Sequence, residues 1–327
     1  MSNPWIIDEA DFYELETHPE QMTFLLRYAI LAPSGHNTQP WTFRITADGV
    51  EVMADYSRRL PVVDSNDREL LMSVGAAIAN FRVAAAHFGF DTTVTYEPRA
   101  LESVPVATIR VRETCASTDA LATLFPAIRK RHTNRELFDG QSLDPEVLQA
   151  ILNVVDDNPA TLRLLLPRDT ERVVEALASA DRTLMARPAY RAELADSPLP
   201  PEAFGIPSAL SGVTPWLIRT FDVGDLQARR DSERTRSASM LVVVTAGDDR
   251  VSLLKAGEVL EILLLTITAA GLQYSFLNAA VEVEESRDHL RMLVGSTHPP
   301  QVLLRIGSAA TAAHPTPRRP VATVIAG

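Results

Sequence analysis

The sequence predicts an α+β protein assembled from two similar halves, and three observations lead there. Runs rich in β-formers alternate with helical patterns along most of the chain, which favours mixed helix and sheet layers. The two longest apolar helix patterns share an opening, Leu71-x3-Gly75 and Leu253-x3-Gly257. Each then stops at a further glycine, Gly89 or Gly271, 14 residues on.

Taken in order, residues 19–32 put Met22, Leu25, Leu26, Ala29 and Ile30 on one helical face and stop at Pro33 and Gly35. Residues 41–45 and 50–54 alternate as two strands around the turn Asp48-Gly49. Asp67 is the expected cap of a helix running to His87, with Leu70, Val74, Ile78, Phe81 and Ala85 inward. Strands near 92–96 and 106–111 complete a first half, taken as residues 1–115. The second half, 116–327, begins with helices over 119–130 and 144–155, separated by a polar segment. A strand at 162–166, a helix at 170–185 and a strand at 240–245 follow. Residues 187–239 hold Pro188, Pro198, Pro200, Pro201, Pro207 and Pro215 and read as an irregular lid, because so long a connection in a compact protein usually covers a site. Trp216 and Phe204 are candidates to lie on the pocket. A helix at 253–270, a strand at 274–277, a helix at 285–294 and a strand at 302–306 then repeat the first theme.

With 327 residues, 46% of them hydrophobic, the chain can bury one large core or two packed ones. A formal charge of −11 and a pI near 5.2 exclude a general nucleic-acid binder, which needs a basic face. Lys130 and Lys255 are the only lysines, so any anion site must be built from arginine. Cys115 is the only cysteine; no intrachain disulfide framework is possible, and a reducing cytoplasm is the expected compartment. The first residues, with Asp8, Glu9, Asp11 and Glu14, lack a signal-peptide pattern. The longest apolar stretch, 259–272, is interrupted by Glu261 and falls short of the roughly 20 residues a membrane helix needs, so no membrane partner is expected.

Three segments carry chemistry. Pro33-Ser34-Gly35-His36-Asn37-Thr38-Gln39-Pro40-Trp41 joins a helix to a strand. Its small residues allow close backbone approach, Ser34 and Asn37 can hydrogen-bond a planar heterocycle, and Gln39-Pro40 implies an extended exit. An ordinary helix-terminating loop would read the same way. Arg129-Lys-Arg-His-Thr-Asn-Arg135 is a cationic turn in an acidic protein, suited to a phosphate or equally to a solvated helix end. Pro317-Arg318-Arg319-Pro320 adds two guanidiniums on a stiff tether.

The first of these resembles the Pro-Ser-x-x-Asn-x-Gln-Pro-Trp signature of the nitroreductase superfamily, and Arg131-His-Thr-Asn-Arg135 is similar to its Arg-Arg-Ser/Thr-x-Arg segment. In ordinary nitroreductases the arginine segment precedes the Pro-Ser loop, and the homodimer holds FMN between the arginine segment of one subunit and the Pro-Ser loop of the other. Here the order is reversed within one chain, and Asp156-Asp-Asn-Pro159 stands where a second Pro-Ser loop would fall. That split order and the Arg318-Arg319-Pro320 ending look like the single-chain Acg-type branch. The resemblance implies a nitroreductase-like α+β fold, internally duplicated into a pseudo-dimer that is monomeric as a chain and holds one FMN. It assigns Arg131, His132, Thr133, Arg135, Arg318 and Arg319 to the ribityl-phosphate and pyrimidine edge, with His132 where many members carry arginine. Pro33, Ser34, Gly35 and Asn37 would approach the isoalloxazine, and the Leu277-Asn278 loop would bring backbone amides to it. It further implies hydride transfer from NAD(P)H through FMN to a nitroaromatic, quinone or other small electrophile. An FMN storage or sequestration protein, with the lid blocking the flavin face, fits the same motifs.

Competing chemistries find no support. No G-x-S-x-G elbow accompanies Ser34 and His36, no H-x3-H pair suggests zinc, and neither G-x-G-x-x-G nor a P-loop occurs. Replacing Arg131 and Arg135 by alanine is expected to abolish flavin retention and leave the fold intact.

Overall fold

The computed structural model describes residues 3–99, 104–114, 120–155, 160–198 and 212–326. Cys115, Asp156 to Pro159, Pro200, Pro201, Phe204, Pro207 and the expected boundary between the halves lie outside them.

Helix α1 (His18–Ala29) starts at a capping box: the Thr17 hydroxyl accepts from the Glu20 N–H while the Glu20 carboxylate accepts from the Thr17 N–H. The hairpin β1 (Trp41–Thr46) and β2 (Gly49–Ala54) follows, then α2 (Arg68–His87), β3 (Phe90–Tyr96) and β4 (Ala107–Glu113). The second series is α3 (Phe125–Ile128), α4 (Pro145–Leu152), β5 (Thr161–Leu165), α5 (Thr170–Met185), α6 (Pro188–Asp196), α7 (Thr214–Thr220) and α8 (Gly224–Arg236). It continues through β6 (Met240–Thr245), α9 (Arg250–Ala269), β7 (Gln273–Phe276), α10 (Ala279–Glu282), α11 (Glu284–Leu293) and β8 (Pro300–Gly307).

The two four-stranded sheets have matching orders, β1-β2-β4-β3 and β5-β6-β8-β7, and every named strand pairing is antiparallel. Each contains one long helix inserted before its edge strand, α2 before β3 and α9 before β7. Those two helices pack against each other at the centre of the molecule. The glycines that marked them in the sequence meet there. A Cβ on Gly75 would lie 2.0 Å from the Leu254 carbonyl oxygen, and one on Gly257 would lie 2.0 Å from that of Met72. α2 is long and apolar enough to cross a bilayer, but 89% of its most apolar window is buried inside the protein.

Four expectations need correction. Residues 120–130 form a 3-10 turn followed by the single turn of α3, because Pro126 brings no N–H to continue a longer helix. Asp67 occupies the N-cap of α2 in a left-handed conformation, and its carboxylate is taken by Arg59; the helix start is capped by Asp64, which accepts from the Leu70 N–H at 2.9 Å. The described part of 187–239 is mostly helical, as α6, α7 and α8. Finally, the chain end returns to the first sheet. The Phe43 N–H donates to the Val324 carbonyl and the Ala326 N–H to the Phe43 carbonyl, both at 2.8 Å, so this segment covers the outer edge of β1.

Candidate functional site

Between α1 and β1 the chain makes a tight hook. His36, Asn37 and Gln39 have φ of 45°, 59° and 53°, a left-handed run without glycine that costs on the order of 1–3 kcal/mol per residue. Gln39 is therefore not extended, contrary to the usual bias before proline. Side chains hold the conformation: Ser34 Oγ accepts from the Gln39 N–H at 2.9 Å, and Gln39 Oε1 accepts from the Arg319 N–H at 2.7 Å. Asn37 is fully engaged by the returning chain end, donating to the Pro317 carbonyl and accepting from Arg318, both at 3.1 Å. It positions that segment while lining the cavity.

The hook forms one wall of a cavity of about 260 Å³. Pro33, Ser34, Gly35 and Asn37 meet Arg131, His132, Thr133, Arg135, Asn278 and Arg318 around it, so the hook and the arginine segment share one space. Leu277 and Arg319 do not line it. Leu277 is buried in a small core with Leu165, Val173 and Leu303, and its N–H is taken by the Leu303 carbonyl. Arg319 turns away to the carbonyls of Gln39 and Thr323 and lies 3.6 Å from Asp55.

The three cavity arginines differ. Arg131 is 2% exposed and donates to the Tyr274 hydroxyl and, at 2.8 Å, to the Leu31 carbonyl that precedes the hook. Its Nε lies 3.1 Å from Glu261 Oε1 on α9, an ion pair whose N–H is poorly aligned for a hydrogen bond. Burial pushes the Glu261 carboxyl up to about 7 against the opposing pull of Arg131 and Arg318. Arg131 is thus a core residue, which overturns the expectation that it can be removed without harm. Arg318 is buried among the Asn37, Thr316, Pro317 and Leu31 oxygens, over the Trp5 ring; burial and the neighbouring Arg131 push its guanidinium down to about 9. Arg135 makes no hydrogen bond or ion pair among the described residues, and burial, then Arg234, lower its pKa. His132 packs edge-on to Trp5, and burial and Arg131 push it down to about 4, so it is neutral at pH 7.

The sequence did not reveal the opposite wall. Asp181, Leu184 and Met185 of α5, Tyr190 and Leu194 of α6, and Gln227 and Asp231 of α8 close the cavity. Glu193 of α6 latches this roof to the first half, accepting from the N–H groups of Val62 and Val63 at 2.9 Å each. Trp216, one candidate to lie on the pocket, is instead 58% exposed on α7 and packs edge-on to Phe221. A readable signal existed for Asp181, which falls on the buried stripe of α5 between Leu177 and Leu184.

Burial, then Asp231, pushes the Asp181 carboxyl up to about 8, and burial, then Glu69, pushes Asp64 up to about 6. Both are raised carboxyls, so the folded chain keeps protons that the unfolded chain has released. Their contribution to stability is full below about pH 4 and is lost as pH rises toward 8. The expected result is that Asp181→Asn melts several degrees above the parent at about pH 8 and close to it near pH 4, in thermal scans by circular dichroism. Equal melting temperatures at the higher pH would refute the shift.

No protein-family model matches the chain. Two proteins of Mycobacterium tuberculosis strain H37Rv, "Putative NAD(P)H nitroreductase Rv3131" and "Putative NAD(P)H nitroreductase acg", are each 30% identical to it. The first match covers 94% of this chain and 91% of the relative, the second 90% and 92%. The chain belongs to the nitroreductase superfamily, in its Acg-type branch. A crystal structure of a "putative nitroreductase" from Anabaena variabilis shares the fold from end to end, with a TM-score of 0.52 over 92% of this chain and 91% of its own, at 10% identity. In this nitroreductase-superfamily chain the hook and the arginine segment face each other within one polypeptide, as the reversed motif order implied.

Proposed function

We propose that this chain is an FMN-dependent oxidoreductase of the nitroreductase type, with one composite flavin site formed where the hook meets the arginine segment. The observation that carries the reading is Arg135, a half-buried guanidinium on the cavity wall with no partner among the described residues, in the same cavity as Arg318, whose Nε also has none among them. Such cations favour a phosphate or another anionic group. The donor set fits FMN: guanidiniums for the phosphate, Thr133 and Asn278 for polar edges, and Gly35 and Ser34 for close approach to a flat ring. The relatives named as NAD(P)H nitroreductases support the same chemistry.

FMN, when bound, supplies the hydride transfer between NAD(P)H and a small electrophile, while the protein supplies orientation and electrostatics. Arg135 and Arg318 balance the charge of the phosphate. Asn37 and Gln39 fix the returning segment so that Arg318 stays on the cavity wall. Arg131 ties Leu31, at the root of the hook, to α9 through Glu261. The roof helices exclude water.

The purified protein is expected to be yellow and to carry about one flavin per chain, the count for a single composite pocket. Arg135→Ala should lose most of it while melting at the temperature of the parent stripped of flavin. A colourless parent, two flavins per chain, or full retention by the variant would overturn the site. The latched roof gives specific weight to a second reading, storage or sequestration of FMN, because the cavity beneath it is smaller than the roughly 300–1,000 Å³ usual for small-molecule sites. Anaerobic mixing with NADPH or NADH separates the two. Bleaching of the flavin band near ~450 nm within seconds supports turnover, and no bleaching over minutes supports storage.

A further inference from the structure

The roof end of the cavity holds more acidic side chains than the described residues around it pair. Asp231 is compensated, accepting from Gln227 at 2.7 Å and Arg234 at 2.9 Å, and Glu69 is compensated by Arg68 at 2.9 Å. Asp181 is not: it is 4% exposed, lines the cavity, and has no hydrogen-bond or ion-pair partner among the described residues. Arg182, its neighbour in sequence, pairs outward with Asp225 at 2.8 Å. Glu282 of α10 also lines the cavity and its carboxylate has no partner among the described residues. Independently, Tyr190 of α6 is 8% exposed on the same wall, with a phenol that makes no hydrogen bond among the described residues.

We propose that this end of the cavity is a subsite for an organic cation, in which Asp181 and Glu282, with the Tyr190 oxygen, receive a protonated amine or amidinium carried by the electron acceptor. The assignment rests on the flavin reading above and adds the class of acceptor. Buried carboxylates are strongly disfavoured unless they are protonated or met by a positive group, and a cation with N–H donors satisfies both acids and the phenol together. A metal ion is a poorer occupant, since no group of three His, Cys, Asp or Glu side chains converges to hold one among the described residues. The charged groups facing the pair are Asp231 and Arg234 of α8, Arg182 of α5, Glu69 and Arg68 of α2, and Asp64 before it. Burial and the neighbouring acids raise both carboxyls, which favours their protonated form when no cation is present; a bound cation favours the carboxylates, and the displaced protons pass to solvent.

The test compares three nitroaromatics of one shape, 4-nitrobenzylamine, 4-nitrobenzyl alcohol and 4-nitrobenzoate, by calorimetric titration of the protein as purified at pH 7. The amine should bind about tenfold more tightly than the alcohol, as one charge-assisted contact provides, with the benzoate weakest. Asp181→Asn with Glu282→Gln should bring amine and alcohol together, and the variant's melting curve verifies that it is folded. Equal affinities in the parent, no binding of the amine, or a preference that survives both substitutions would overturn the subsite. Flavin content is read separately from the absorption spectrum. A chain without flavin that still prefers the amine would refute the cofactor reading and leave the charge preference standing.

Discussion

Arg131→Ala is expected to unfold much of the protein in the cell rather than merely empty its site. The substitution removes the counter-ion of Glu261, which is 0% exposed, together with the contacts to Tyr274 and the Leu31 carbonyl. Breaking a buried pair costs up to about 3–5 kcal/mol, less what Glu261 recovers by taking up a proton, which is still a large part of the roughly 5–15 kcal/mol that holds a typical domain folded. The measurement is a thermal scan of Arg131→Ala, Glu261→Gln and the double variant. Arg131→Ala should melt roughly 10 °C below the parent, or fail to accumulate as soluble protein. The double variant should recover part of that loss, because its buried group is then neutral. A single variant that melts with the parent, or a double variant worse than the sum of its parts, would rule out the ion pair as a core element. Arg135→Ala makes the contrast: only a few residues away on the same segment, Arg135 has no partner to lose among the described residues.

A second large effect is expected at the crossing of α2 and α9. Alanine normally stabilises a helix relative to glycine by about 1 kcal/mol, so two glycines kept inside buried helices need a reason. The reason is contact between backbones. At Gly257 an added methyl would lie 2.0 Å from the Met72 carbonyl oxygen and 2.8 Å from its Cα, and neither atom can rotate away. Gly257→Ala must push the helices apart, opening the core they share, and we expect a loss of about 3 kcal/mol or more, the upper end for overpacking. Gly271→Ala is the control. It meets no atom within 4 Å and has φ of +76°, so it carries only the left-handed penalty of about 1–2 kcal/mol. Denaturant titration of the two variants decides the matter, and Gly257→Ala proving as stable as Gly271→Ala would contradict the crossing.

Much of this architecture could be read from residues because it rests on local signals. Apolar spacing located α1, α2, α5 and α9, Asp48-Gly49 located the first hairpin, and the paired glycines foreshadowed the helix crossing. The roof helices escaped for equally local reasons. Pro188 and Pro215 sit in the first turns of α6 and α7, where proline starts a helix, yet among the other prolines of 187–239 they give the sequence an irregular look. α8 is almost wholly polar, burying only Gly224, Ala228 and Thr235, so it has no stripe for periodicity to find. In the site the residue types were legible and their loyalties were not. Arg131 and Arg135 look alike in sequence, and only the fold brings Glu261 to the first and, among the described residues, no acid within bonding distance of the second.

The return of the chain end along β1 has a consequence for how the protein is made. Residues 317–326 contribute Arg318 and grip Asn37, Gln39 and Phe43, which leave the ribosome far earlier. Until that late stretch emerges, the strained loop at 33–39 lacks its clasp and one of its cations. A nascent polypeptide therefore has no finished pocket to fill until residues 317–326 have emerged and packed against the hook.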